Sequence, residues 1–199
     1  MSKRHKTSPN ISMILYSKYI TLTNIIKLEL VSSSWKDDTE SYYKTLKYIS
    51  LTQKYSKLLI RSLISCKILL LKNIDYIKIS HMINLRTLVI TECHFNTLCY
   101  CPQLQDISIF GQTNLISDMY SKIPNVQSIT FCSSDVKINT FPLDQIQNLK
   151  YLKILHLIKI NVDMNIINQI KTLEKLYLIR CNTTNDFIKN INLKIIQFQ

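Results

Sequence analysis

The chain has 199 residues, 46% of them hydrophobic and 19% charged, a profile that suits a globular protein with ample material for a core. Its single glycine, Gly111, excludes a glycine-rich phosphate loop, a dinucleotide-binding turn and a G-x-S-x-G nucleophile elbow, each of which needs at least two. The formal charge of +12 favours acidic partners, but the only arginines are Arg4, Arg61, Arg86 and Arg180, which argues against a protein that reads nucleic-acid bases.

Residues Met1 to Asn10 are polar and basic, and the apolar stretch behind them, Ile11 to Leu15, is short and broken by Ser12. No signal-peptide pattern is visible there. The basic run Lys3, Arg4, His5 and Lys6 reads as a solvated tail or, alternatively, a nuclear localisation signal. The longest apolar stretch, Leu58 to Leu71, is interrupted by Arg61 and Lys67 and is too short to span a bilayer, so no membrane association is expected. Six cysteines are then expected as reduced thiols in the cytoplasm or nucleus.

Within residues 1–45, the apolar residues between Ile25 and Trp35 fit helical spacing about as well as strand alternation, and Ile25, Leu28, Leu30 and Trp35 can also be laid on the repeat pattern described below. Pro9, Ile20, Ile25, Val31 and Trp35 combine a proline-led start, an apolar pair five apart and a V-x-x-x-W ending. This spacing resembles the F-box, with Lys18 to Trp35 as its helix–turn–helix centre. Ser8 and Ile11 depart from the family pattern, which usually has Leu and Glu there, and this bears on adaptor affinity more than on fold. The resemblance implies that Pro9, Ile20, Ile25, Val31 and Trp35 dock a Skp-type adaptor of a cullin–RING ubiquitin ligase. The other reading is an N-terminal helical cap over the first repeat, since every solenoid must shield its apolar end.

From residue 46 onward the chain repeats. The pattern L-x-x-L-x-L-x-x-(N/C)-x-L starts weakly at Leu46, Ile49 and Leu51 and continues at Cys66, Leu69, Leu71 and Ile74. It is complete at Leu85, Leu88, Ile90, Cys93 and Phe95. Leu104, Ile107 and Ile109 follow, then Val126, Ile129 and Phe131, then Leu152, Leu155, Leu157, Ile160 and Val162. Leu173, Leu176, Leu178 and Cys181 come next, and Leu193, Ile196 and Phe198 close the series. The interval between copies stays between 19 and 26 residues. Both the fine pattern and the coarse period resemble the leucine-rich repeat family, and Leu98, Cys101, Pro102 and Leu104 resemble its cysteine-containing subtype.

Each copy is one short strand and a return segment that cannot bury its own apolar face, so copies must stack. The expected fold is an α/β solenoid. It is an irregular leucine-rich-repeat arc of about eight repeats over residues 46–199, with parallel concave strands, preceded by the short all-α F-box-like module of residues 1–45. Leu143 to Leu149 and Asn165 to Leu173 have helical apolar spacing and are expected as short return helices. The ninth position, where Asn normally forms a ladder, holds Lys54, Ile74, Cys93, Gln112, Ser134, Ile160 and Cys181, so that ladder should be degenerate.

No catalytic constellation emerges. Cys93, His94, Cys99 and Cys101 lack the paired spacing of a structural zinc site, and Cys93 and Cys101 fall on core positions of the repeat. His5, His81, His94 and His156 stand in no nucleophile–base motif, and no carboxylate pair stands out. The expectation is a non-enzymatic protein with no cofactor and no metal.

Strand residues between the buried positions should face the concave side, where a partner would bind. Two clusters there are apolar: Ile68, Leu70 and Val89, and Ile154, Ile158, Tyr177 and Ile179. With Phe110, His156 and Arg180 they form the candidate surface for a protein substrate, comprising Leu70, Val89, Phe110, Ile154, His156, Ile158, Tyr177, Ile179 and Arg180. Pairing an F-box-like start with cysteine-type repeats resembles F-box/leucine-rich-repeat substrate receptors. The resemblance implies a protein substrate held on the repeats while a separate enzyme ubiquitinates it. A repeat scaffold or inhibitor with no ubiquitin link is the alternative.

Overall fold

The computed structural model describes residues 46–52, 65–74, 77–79, 82–93, 95–98, 100–111, 119–134, 143–183 and 194–198. The F-box-like module of residues 1–45, with Pro9, Ile20, Ile25, Val31 and Trp35, lies outside them.

In chain order the strands are β1 (Tyr48–Thr52), β2 (Ile68–Lys72), β3 (Ile77–Ile79), β4 (Thr87–Thr91), β5 (Phe95–Leu98) and β6 (Asp106–Phe110). They continue with β7 (Ser128–Cys132), β8 (Ile154–Ile158), β9 (Asn161–Val162), β10 (Lys175–Ile179), β11 (Asn182–Thr183) and β12 (Lys194–Phe198). Eight of them form one sheet in the order β1-β2-β4-β6-β7-β8-β10-β12, with every neighbouring pair parallel. Strand order follows chain order, as stacked copies of one repeat require.

Alternation along each strand explains the layering. Leu69 and Leu71, Leu88 and Ile90, Ile107 and Ile109, Ile129 and Phe131, Leu155 and Leu157, and Leu176 and Leu178 are all buried on one face. Each lies beside its counterpart in the next strand, so the core is a set of continuous apolar rows. Burying one such side chain contributes roughly 1.5–3 kcal/mol, far more than any surface ion pair. Cys66 at an anchor, Cys93 at a ninth position and Cys101 three residues before the anchor Leu104 join this core, each at 0% exposure.

Backbone ladders tie the copies together at both strand ends. Before β2, β4, β6, β7, β8 and β10, two successive N–H groups share one carbonyl of the preceding copy: Lys67 and Ile68 donate to the Lys47 carbonyl at 2.8 and 3.0 Å. Glu174 and Lys175 do the same to Lys153, at 2.8 and 2.9 Å. After the strand, the Asn73, Glu92, Gly111, Ser133 and Lys159 N–H groups donate to the last carbonyl of the following strand. Among the described residues this exit position is left-handed in five copies, with φ of 52° at Asn73, 50° at Glu92, 80° at Gly111, 54° at Lys159 and 52° at Arg180. The only glycine therefore sits where the fold bends most sharply away from ordinary backbone.

Thiols take over part of the expected asparagine ladder. The Cys93 thiol donates to the Thr91 carbonyl at 3.2 Å, and the Cys181 thiol to the Leu157 and Ile179 carbonyls at 3.1 and 3.5 Å. Ile74 and Ile160 fill the same position as plain core residues. The asparagine pair lies one residue further on, where the Asn182 amide donates to the Asn161 side-chain oxygen at 3.1 Å.

The return segments are mixed. Helix α1 (Met119–Lys122) buries Met119 and Tyr120. The expected helix at Leu143 to Leu149 is a 3-10 helix over Leu143–Asn148. The one expected over Asn165 to Leu173 is shorter, α2 (Met164–Asn168), started by the Asp163 carboxylate, which accepts from the Asn165 N–H at 2.9 Å. Elsewhere the returns form strands instead, with β3 parallel to β5 and β9 parallel to β11. Their β-branched and alternating residues, such as Ile77-Lys78-Ile79, suit a second small sheet better than a helix.

The last copy needs a correction. Leu193, Ile196 and Phe198 were expected at the anchor and core positions, but the register places Ile195 opposite Leu176 and Gln197 opposite Leu178. Lys194 donates to the Glu174 carbonyl at 3.0 Å, as Lys175 does to Lys153. Adjacent isoleucines at 195 and 196 satisfy either spacing, so apolar periodicity could not choose, whereas backbone pairing does. Ile196 and Phe198 thus share the register of Tyr177 and Ile179.

Candidate functional site: the open face of the sheet

The face opposite the core is built from the first, third and fifth residues of each strand. Its central row reads Ser50, Leu70, Val89, Ser108, Thr130, His156 and Tyr177 in register. A second row runs Lys72, Thr91, Phe110, Cys132, Ile158 and Ile179. A third runs Tyr48, Ile68, Thr87, Asp106, Ser128, Ile154 and Lys175. Leu70, Val89, Phe110, Ile154, His156, Ile158, Tyr177 and Ile179 are therefore brought together on one surface, each half-buried by its neighbours. Arg180 is exposed at the exit of β10, beside that surface rather than in a row of it.

Small polar residues split the apolar content. Leu70 pairs with Val89 at one end, and Ile154, His156, Ile158, Tyr177 and Ile179 cluster on β8 and β10 at the other. Ser108 and Thr130 lie between them in the central row. Phe110 and Cys132 keep the second row continuous into Ile158 and Ile179.

The His156 and Tyr177 rings pack with centroids 4.2 Å apart and planes tilted by 53°. Burial there pushes the His156 pKa below its ordinary 6.5, so the imidazole is neutral at physiological pH. Burial also raises Asp106, and raises Cys132 despite the nearby Lys159 charge, which pulls the other way. Cys66 on the core side is pushed up to about 11 by desolvation, as expected of an inert packing thiol.

Sequence reasoning found these rows because strand alternation alone assigns them, and it set Arg180 beside them, but it missed Lys159 and the left-handed backbone of the exit position. There Lys159 and Arg180 project from left-handed backbone, and lysines that scatter along the sequence gather at the β8–β10–β12 end. It also missed a cleft of about 460 Å³ between α1 and the 3-10 helix, lined by Tyr120, Ser121, Gln145, Asn148 and Tyr151. Among the described residues no group of three or more His, Cys, Asp or Glu side chains could hold a metal ion, and no helix is long and apolar enough to cross a membrane. His94 and Cys99 lie outside the described residues.

No family model matches the chain. No curated protein matches it either. Among solved structures it is similar to an internalin (inlF) from Listeria monocytogenes, with a TM-score of 0.61 and 16% sequence identity over 87% of this chain. This chain's fold is a leucine-rich-repeat solenoid. The matched region spans 54% of the internalin chain, about half its length.

Proposed function

We propose that this protein is a non-enzymatic interaction scaffold that holds a protein partner on the open face of its sheet. One observation carries the reading: apolar and aromatic side chains from β2, β4, β6, β8 and β10 line a single face that the core does not need. Contiguous apolar surface of this kind is expensive to leave in water and marks binding sites. A photo-crosslinking residue at Tyr177 or Leu70 should capture polypeptide partners, while one at the exposed Lys171 on a return segment should not. Equal capture from both positions removes the reading.

A narrower form rests on the spacing of Pro9, Ile20, Ile25, Val31 and Trp35. In it the chain is a substrate receptor of an SCF-type cullin–RING ligase. The N-terminal segment docks a Skp-type adaptor and the repeats bring a substrate near the conjugating enzyme, which raises the effective concentration of its lysines. Purified chain should then bind a Skp-type adaptor and lose that binding with Ile25→Asp or Trp35→Ala. Absence of adaptor binding by the folded chain leaves the plain scaffold.

A further inference from the structure

The geometry points to an acidic protein segment with a short apolar centre as the partner of the β8–β10–β12 end of the open face. Cations bracket this end on two sides. Lys175 and Lys194 are register neighbours at the start of β10 and β12, and both are exposed. Lys159 and Arg180 occupy the left-handed exit positions of β8 and β10, linked by the Lys159 N–H to Ile179 carbonyl bond of 2.9 Å. Between the two pairs lie Ile154, His156, Ile158, Tyr177 and Ile179. A five-residue strand separates the cationic edges by about 15 Å, the reach of four or five residues of extended chain.

Among the described residues this end of the open face carries no acid. Glu174 precedes β10 and is already engaged by Lys153 at 2.9 Å, while Asp106 and Glu92 belong to the β4–β6 part. Complementarity therefore asks for carboxylates at both ends of a bound segment and aliphatic side chains between them.

Nucleic acid fits less well. At the centre of the patch the His156 and Tyr177 rings are packed on each other rather than presented singly for stacking, and Ile154, Ile158 and Ile179 flank them. A longer polyanion running along the sheet would also meet Asp106 on β6 and Glu92 at the exit of β4.

The inference rests on the scaffold reading and can fail separately from it. The probe is a phage-displayed library of short random peptides panned against the full chain, with a parallel panning of K159E/K175E/R180E/K194E. Glu92 shows that glutamate is accommodated at the left-handed exit, so the variant should fold, which circular dichroism checks. Enriched peptides should carry Asp or Glu on both sides of an aliphatic centre. They should bind the quadruple variant at least about tenfold more weakly and lose affinity with added salt. Enrichment of neutral or basic peptides that bind both forms equally overturns the acidic partner and leaves the scaffold standing. Failure to enrich any peptide overturns both. A labelled oligothymidylate that binds more tightly than the selected peptides, and displaces them, overturns the assignment in favour of nucleic acid.

Discussion

The Glu92 carboxylate fills the space into which a side chain at Gly111 would project. The two residues hold the same exit position in successive copies, and each donates its N–H to the strand that follows, Glu92 to Phe110 at 3.0 Å and Gly111 to Cys132 at 2.8 Å. Gly111→Ala should cost about 1–2 kcal/mol, because a left-handed φ of 80° disfavours any Cβ and the Glu92 side chain must also move. In an E92A background the same substitution should cost measurably less. Urea denaturation of the four forms closes this cycle, and equal costs in both backgrounds would exclude contact between the two positions.

Among the described residues Phe131 is the largest fully buried side chain, and it lies mid-sheet on β7 between its row neighbours Ile109 and Leu157. Phe131→Ala should remove about 3–5 kcal/mol, a large share of the stability of a domain this size. Thr130→Ala, one residue away but on the open face, should change the denaturation midpoint little by comparison.

Acid should weaken the fold through His156. Its folded pKa lies below the ordinary 6.5, so just under that pH the unfolded chain binds more protons than the folded one. Stability then rises with pH in that window: the neutral imidazole contributes fully above about 6.5, and the contribution is lost as pH falls through the lowered folded value. Thermal midpoints recorded from about pH 7 to about pH 5 should fall more for the natural chain than for His156→Gln. Parallel curves would show that His156 does not titrate differently on folding.

Thiol reactivity should follow depth in the fold. Cys66, Cys93 and Cys101 are buried, and Cys66 has its pKa pushed up to about 11, whereas Cys132 and Cys181 are half-buried. Among these five, iodoacetamide on the native protein at neutral pH should label Cys132 and Cys181 first, with the other three reacting only after denaturation. Mass mapping of the labelled peptides reads the order directly. Early labelling of Cys66 would mean that its row opens far more readily than a continuous core allows.

The Lys153–Glu174 pair, at 2.9 Å with both side chains more than half exposed, should matter little. Glu174→Gln is expected to change stability by about 0–1 kcal/mol and to do so less at high salt. A loss of several kcal/mol would point to a role in the ladder of lead-in residues beyond simple charge pairing.

Periodicity made most of the sheet legible. A two-residue alternation inside a period of about twenty can be satisfied only by stacked parallel strands, so Leu69 through Leu178 and the facing rows from Leu70 to Tyr177 were assignable before any coordinates. The return segments were less so. They are short and pack on one side only, so the same apolar residues suit a helical turn at Met164–Asn168 and a strand at Ile77–Ile79.

Local chemistry by itself determined which residues are inside and which are outside, because burial of an apolar side chain depends chiefly on the face it occupies. Tertiary pairing decided what spacing leaves degenerate: the one-residue shift of β12, the left-handed exits at Asn73, Glu92, Gly111, Lys159 and Arg180, and the gathering of Lys159, Lys175, Arg180 and Lys194 around one apolar band. Those features depend on which backbone carbonyl each N–H finds in the neighbouring copy, and that choice exists only once the copies are stacked.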